Sequence, residues 1–265
     1  LIHNFCMKIF TNAHFLLTLT SLFWAFNTIA GRAAVDEVSP LLVVSVRWFF
    51  VSILLTFLCR KELFETWKVL KYRLKWLVIM GLFGFTSFNS FYYIAAHDTI
   101  AINLGLVQGT MPAFIIIISR MWLKEKINIP QLLGVIITFV AVLLVVSSGN
   151  LYALMKLQLN KGDIVMIFAC TLYAVYAVGL RKKPKIGALV LLTFFSYVAF
   201  IGSLPGLFYE TFTSSLVLPG MKGIIILIII IIFPSFLAQI FFMKGVEKIG
   251  PARSCLLYTS PSPRD

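Results

Sequence analysis

The chain has 265 residues, 60% of them hydrophobic and 15% aromatic. Only 12% are charged, against about 25% in ordinary soluble domains, which excludes a water-soluble globule and places the chain in lipid. Its net charge of +13 would point to nucleic acid in a soluble protein, so where the charges fall along the chain decides what they mean.

Stretches long and apolar enough to cross a hydrocarbon layer of about 30 Å predict eight transmembrane helices. They run from Ala13 to Ala30, Leu41 to Cys59, Leu74 to Ala96, Ile100 to Trp122, Ile129 to Ser148, Gly162 to Leu180, Ala188 to Phe208 and Met221 to Met243. The first carries Trp24 and Asn27. The second carries Arg47, the basic residue deepest in any span, about 10 Å from its outer end at helical rise. An intramembrane charge is costly and marks a partner or a pathway. Asp98, after the third span, is its nearest plausible partner by topology; a structural ion pair, a snorkelling side chain and recognition of a carboxylate all stay open.

The third span presents Asn89, Tyr92, Tyr93 and Ala96 at helical spacing, with Gly84 earlier in it. The fourth contains Gln108 and Pro112, the sixth Tyr173 and Tyr176, the eighth Pro234 and Gln239. Each proline removes a backbone donor, freeing the carbonyl of Gln108 and that of Ile230. Such breaks mark either a packing kink or a central binding site. Amides both donate and accept, and they are costly facing lipid unless paired. The aromatic and amide side chains of spans one, three, four, six and eight are therefore read as a cavity lining. Interhelical hydrogen bonding remains the competing reading for each amide, and interface anchoring for each Tyr or Trp.

With residues 1–12 in the cytoplasm, 16 Lys and Arg fall on the inner side and 4 on the outer, which sets the orientation by the positive-inside rule. The basic excess is a topology signal, and no nucleic-acid partner is expected. The two halves also repeat at a shift of about 150 residues: FYYIAAHDTIA at Phe91 sits over FFMKGVEKIGP at Phe241, and WAFNTIAGR at Trp24 over YAVYAVGLR at Tyr173. Span one thus matches six and three matches eight, and Pro234 falls on Gly84. A five-helix unit reverses orientation when repeated, which predicts an all-α polytopic fold of two inverted units. Residues 13–148 form the first unit, and 162–254 hold three spans and the start of a fourth. Residues 255–265, CLLYTSPSPRD, are polar, unlike any span, and read as a non-native tail on a truncated gene.

WAFNTIAGRAA, SPLLVVSVRWF, NLGLVQGTMPAFIIIISRMWLKEKI, PQLLGVIITFVAVLLVV and KGDIVMIFACTLYAVYAVGLRK together resemble the EamA-type branch of the drug/metabolite transporter superfamily. The resemblance covers residues 13 to 254. It places the family's second-span arginine on Arg47, its fourth-span proline on Pro112, the glutamate ending that span on Glu125, and the Gly-Asp opening span six on Gly162 and Asp163. Ala141 departs from a frequent glycine. The resemblance implies a ten-helix permease in a bacterial plasma (inner) membrane, moving amino acids, metabolites or drugs, often outward. A lipid or nucleotide-sugar carrier is the alternative within the superfamily, and a channel or membrane-embedded enzyme the more distant one.

No enzyme is expected. His3, His14 and His97 form no HExxH pair, and there is no GxSxG elbow or Walker loop. Cys6, Cys59, Cys170 and Cys255 lack CxxC spacing, so no metal site, cofactor or disulfide framework is expected. The partners are a small-molecule substrate and the bilayer, and nothing fixes an oligomeric state. Proton coupling stays open, because Asp98, Asp163, Glu125, Glu210 and Glu247 all belong to span ends; the other readings are a coupling residue outside this sequence, or a facilitator.

Overall fold

A computed structural model describes residues 12–124, 129–146, 160–213 and 215–249. Among them all regular structure is helical. Seven helices are long and apolar enough to cross a membrane, which makes this an all-α, multi-pass membrane protein. Glu125 and the 255–265 tail lie outside the described residues, as do the side chains of Ala141 and Glu247.

Helix α1 spans Ala13–Ala33. Asn12 starts it, its side-chain oxygen accepting from the backbone of His14 and Phe15 at 2.9 and 3.4 Å and so satisfying two otherwise free donors. Helix α2, Pro40–Tyr72, opens with proline where no donor is needed and passes a non-helical residue at Cys59. It continues well beyond the predicted end of the second span, because Arg60–Tyr72 keeps helical spacing while its hydropathy falls.

Helix α3 is built from Leu74–Gly81, a π-helical Leu82–Ser87 and Phe88–Asp98. Helix α4 is Ala101–Gly109 followed by Met111–Leu123, broken at Thr110 just ahead of Pro112. Helix α5 is Ile129–Val146, α6 is Lys161–Gly179 and α7 is Ala188–Phe212. Helix α8 repeats the plan of α3, as Met221–Ile230, a π-helical Ile231–Leu237 and Ala238–Ile249. The two π segments contain Gly84 and Pro234, the pair that the repeat superposes.

Helix α2 packs along α7, α6 against α3 and both halves of α4, and the last part of α8 against α1. The core between them is aromatic. Phe85 meets Trp48 and Tyr176 edge-on at 5.0 and 5.5 Å, and Tyr176 meets Phe195 at 5.6 Å. Gly84 is required here, since a Cβ on it would fall inside the Tyr176 ring. Gly162 plays a similar part at the other end of α6, where a Cβ would stand 2.7 Å from the Ala95 carbonyl oxygen.

The N-terminus of α6 carries a capping box. The Asp163 amide donates to Asn160 Oδ1 at 2.8 Å, and the Asn160 amide donates back to Asp163 Oδ2 at 3.2 Å. Asp163 Oδ1 also accepts from Thr99 Oγ1 at 2.6 Å, tying α6 to the connection between α3 and α4.

Overpacking at Gly84 is expected to cost about 1–3 kcal/mol in Gly84→Ala. Gly105→Ala, where nothing lies within 4 Å of the added Cβ, is expected to be neutral or slightly stabilising. Thermal unfolding of the two purified variants in detergent checks the contrast; equal melting temperatures would show that the Tyr176 ring yields freely.

Candidate functional site

The first charged side chain to place is Arg47, which α2 carries into the protein rather than to either surface: it is 2% exposed. Its Nε donates to Ser235 Oγ at 2.8 Å, and its Nη1 donates to Asn89 Oδ1 at 3.0 Å and Tyr93 Oη at 2.9 Å. The guanidinium carbon lies 5.1 Å from the Trp48 ring centroid and 5.6 Å from that of Tyr93, both within cation–π range. Asp98 is not a partner. It is exposed at the end of α3, and in place of the ion pair, one of the readings left open, Arg47 has neutral hydrogen-bonding groups from inside the bundle. Of the five guanidinium donors, the two on Nη2 take part in none of these bonds.

The groups that hold Arg47 come from the two broken helices. Ser235 sits in the π segment of α8, next to Pro234. While it accepts from Arg47, it donates to the carbonyl of Ile230, the acceptor freed by the proline. Asn89 follows the π segment of α3 and donates through Nδ2 to the carbonyl of Phe85 at 2.6 Å. Each side chain donates to a backbone carbonyl within a break and presents an oxygen to the arginine. Tyr93 extends the network by donating to Asn27 Oδ1 of α1 at 2.9 Å.

Arg47 borders a cavity of about 260 Å³. Trp24 and Asn27 of α1, Gly84, Asn89 and Tyr92 of α3, Gln108 and Pro112 of α4, Tyr173 of α6 and Gln239 of α8 line it. The five expected helices therefore meet around one space, joined by α2 through Arg47, the one charged side chain in the described lining. Tyr92 is 2% exposed and its hydroxyl has no hydrogen-bond partner, although Thr28 and Asn27 lie beside it. The hydroxyl itself is buried rather than open to the cavity.

Two expected lining residues, Tyr93 and Tyr176, and the expected helix break at Pro234 stand outside the lining. Tyr93 lies behind Arg47 as its support. Tyr176 packs on Tyr173, ring centroids 5.4 Å apart, but fills the core against Gly84 and Phe195 and does not line the cavity. Pro234 is buried within its π segment and shapes the site through Ser235. Phe85, Phe88 and Phe242 complete the walls. These phenylalanines and Ser235 are absent from the sequence-based expectation. The serine had one available signal, a hydroxyl directly after an intramembrane proline.

The sequence pattern of the EamA-like transporter family matches residues 11–147. Among curated proteins, the chain is 27% identical to the uncharacterized transporter YyaM of Bacillus subtilis, over 68% of this chain and 60% of that protein. It is 29% identical to an uncharacterized transporter of Archaeoglobus fulgidus, over 63% of this chain and 57% of the relative, so the matched part spans under two thirds of either. A solved crystal structure superposes with a TM-score of 0.61 at 17% identity, covering 94% of this chain and 90% of the other, which shows a shared fold.

Ser235→Ala removes the acceptor for Arg47 Nε and the donor to Ile230 together. Leaving those buried groups unpaired is expected to cost about 1–3 kcal/mol, seen as a lowered melting temperature of the purified protein. An unchanged melting temperature would show that the hydroxyl holds neither group.

Proposed function

The chain belongs to the EamA-like transporter family, and on that premise we propose that it moves a small carboxylate-bearing metabolite, foremost an amino acid, through this cavity across a plasma (inner) membrane. The observation that carries the reading is Arg47: a buried cation on the cavity wall with no acidic partner among the described residues. An unneutralised charge away from water is costly, and a substrate carboxylate on the unused Nη2 donors relieves it. The amides of Gln108 and Gln239 suit the ammonium and polar groups of a zwitterion, and Trp24, Phe88 and Phe242 suit an apolar side chain.

The reading includes alternating access by two inverted five-helix units and export, with the N-terminus in the cytoplasm. Support for the units comes from the matched irregularities of α3 and α8, and support for the orientation from the inner-side excess of Lys and Arg. A lipid or nucleotide-sugar carrier fits less well, because one cation and about 260 Å³ suit one anionic group on a small molecule. The described lining has no carboxylate, so proton coupling is not part of this reading.

Efflux of labelled amino acids from cells expressing the gene, with membrane abundance checked, tests it. Arg47→Gln is expected to lower flux at least tenfold. Arg47→Lys should fall between it and wild type, since an ammonium cannot serve Asn89, Tyr93, Ser235 and a carboxylate at once. Gln239→Ala should reduce flux without reducing abundance. The reading is overturned if a decarboxylated amine analogue competes as well as its parent amino acid, or if no amino acid moves above the empty-vector background.

A further inference from the structure

The last part of α2, Arg60–Tyr72, lies beyond the non-helical residue Cys59 and has no place in the cavity. Its position follows from lengths. Pro40 to Cys59 already covers about 30 Å at helical rise, the full thickness of a hydrocarbon core. Only Arg73 separates Tyr72 from the start of α3 at Leu74, and α3 must recross the same core. The 25 residues of Leu74–Asp98 give about 37 Å. If Arg60–Tyr72 stood upright it would lift Leu74 about 20 Å into water, leaving α3 too short to return. The segment must therefore run along the membrane surface, with both ends at the interface.

Its side chains are sorted to match. Leu70 is fully buried and Leu63 packs on the core, while Glu62 lies beside Gly187 at the N-terminus of α7. At about 100° per residue, Arg60, Lys71, Lys68 and Lys61 share an arc of about 100°, with Phe64 in its middle and Glu62 and Glu65 outside it. All four cations are exposed. So are the aromatic rings on and beside the arc, Phe64 at 85%, Trp67 at 52% and Tyr72 at 82%, with Lys71 Nζ 5.2 Å from the Tyr72 ring centroid. Large rings standing out among lysines are unfavourable in water and favourable at the level of lipid headgroups.

We propose that Arg60–Tyr72 is an interfacial helix that docks on the anionic phospholipid headgroups of the cytoplasmic leaflet. Trp67, Phe64 and Tyr72 enter the boundary between headgroups and acyl chains, and Arg60, Lys61, Lys68 and Lys71 bind lipid phosphates. Charge complementarity selects this occupant, because that leaflet carries the negative surface potential and the positive-inside count places the segment against it. Anionic lipid thereby grips the connection between α2, which carries Arg47, and α3, which carries Asn89.

The full chain reconstituted in nanodiscs of phosphatidylcholine, with and without phosphatidylglycerol, tests this. The measured quantity is the share of tryptophan quenching by lipids brominated near the headgroup that disappears in Trp67→Phe. A clear share is expected, larger with phosphatidylglycerol; none would put the helix in water and overturn the proposal. In parallel, mass spectrometry of the lipids retained on purification gives the ratio of phosphatidylglycerol to phosphatidylcholine. The triple variant Lys61→Glu, Lys68→Glu and Lys71→Glu is expected to lower it about fivefold or more, whereas Lys161→Glu, on the other side, leaves it unchanged. Should the triple variant not fold, high salt must lower the same ratio in the wild type. A ratio indifferent to the charge reversal or to salt overturns the headgroup assignment.

Discussion

A guanidinium taken out of water, held by neutral groups from two interrupted helices, is the constraint on which the rest of this structure depends. An arginine inside a bilayer must find acceptors, and regular helices offer none, because their carbonyls are already used. The interruptions in α3 and α8 change that supply. Beside each, a side chain donates to a backbone carbonyl and turns an oxygen to Arg47. The glycine, the proline, the asparagine and the serine thus form one device contributed by both halves of the chain.

The cavity follows from that device. Holding Arg47 from Nε and Nη1 fixes the plane of the guanidinium and leaves Nη2 outside these bonds. Around it the walls divide into rings and amides, with the polar groups few and separated. Gly84 joins cavity and core. It lines the open space while its missing Cβ admits the Tyr176 ring from behind.

Away from the cavity, hydrogen bonds tie helix ends across the two halves. Thr99 meets Asp163, the Leu41 amide donates to Glu210 Oε1 at 3.0 Å, and the Val217 amide donates to Ser39 Oγ. The Glu210 carboxylate satisfies a donor in the first turn of α2 that would otherwise be unpaired, and the other two contacts join elements together. The surface segment Arg60–Tyr72 is held differently, by two leucines on the core and a basic, aromatic face turned away from it.

The sequence by itself placed the seven apolar helices that the described residues show as long enough to span, because the hydrocarbon thickness sets a length that composition reveals directly. It also marked Gly84 and Pro234 as a pair and Arg47 as a charge needing an explanation. It could not show that α2 continues past Cys59, since hydropathy is blind to a helix that leaves the membrane core without ending. Only the tertiary structure decided which acceptors receive Arg47, why Tyr173 faces the cavity while Tyr176 fills the core, and that Ser235 closes the break beside Pro234. Those outcomes depend on rotation and approach between helices far apart in the chain. Helical spacing fixes which side chains share a face, but the packing of neighbouring helices decides where that face points.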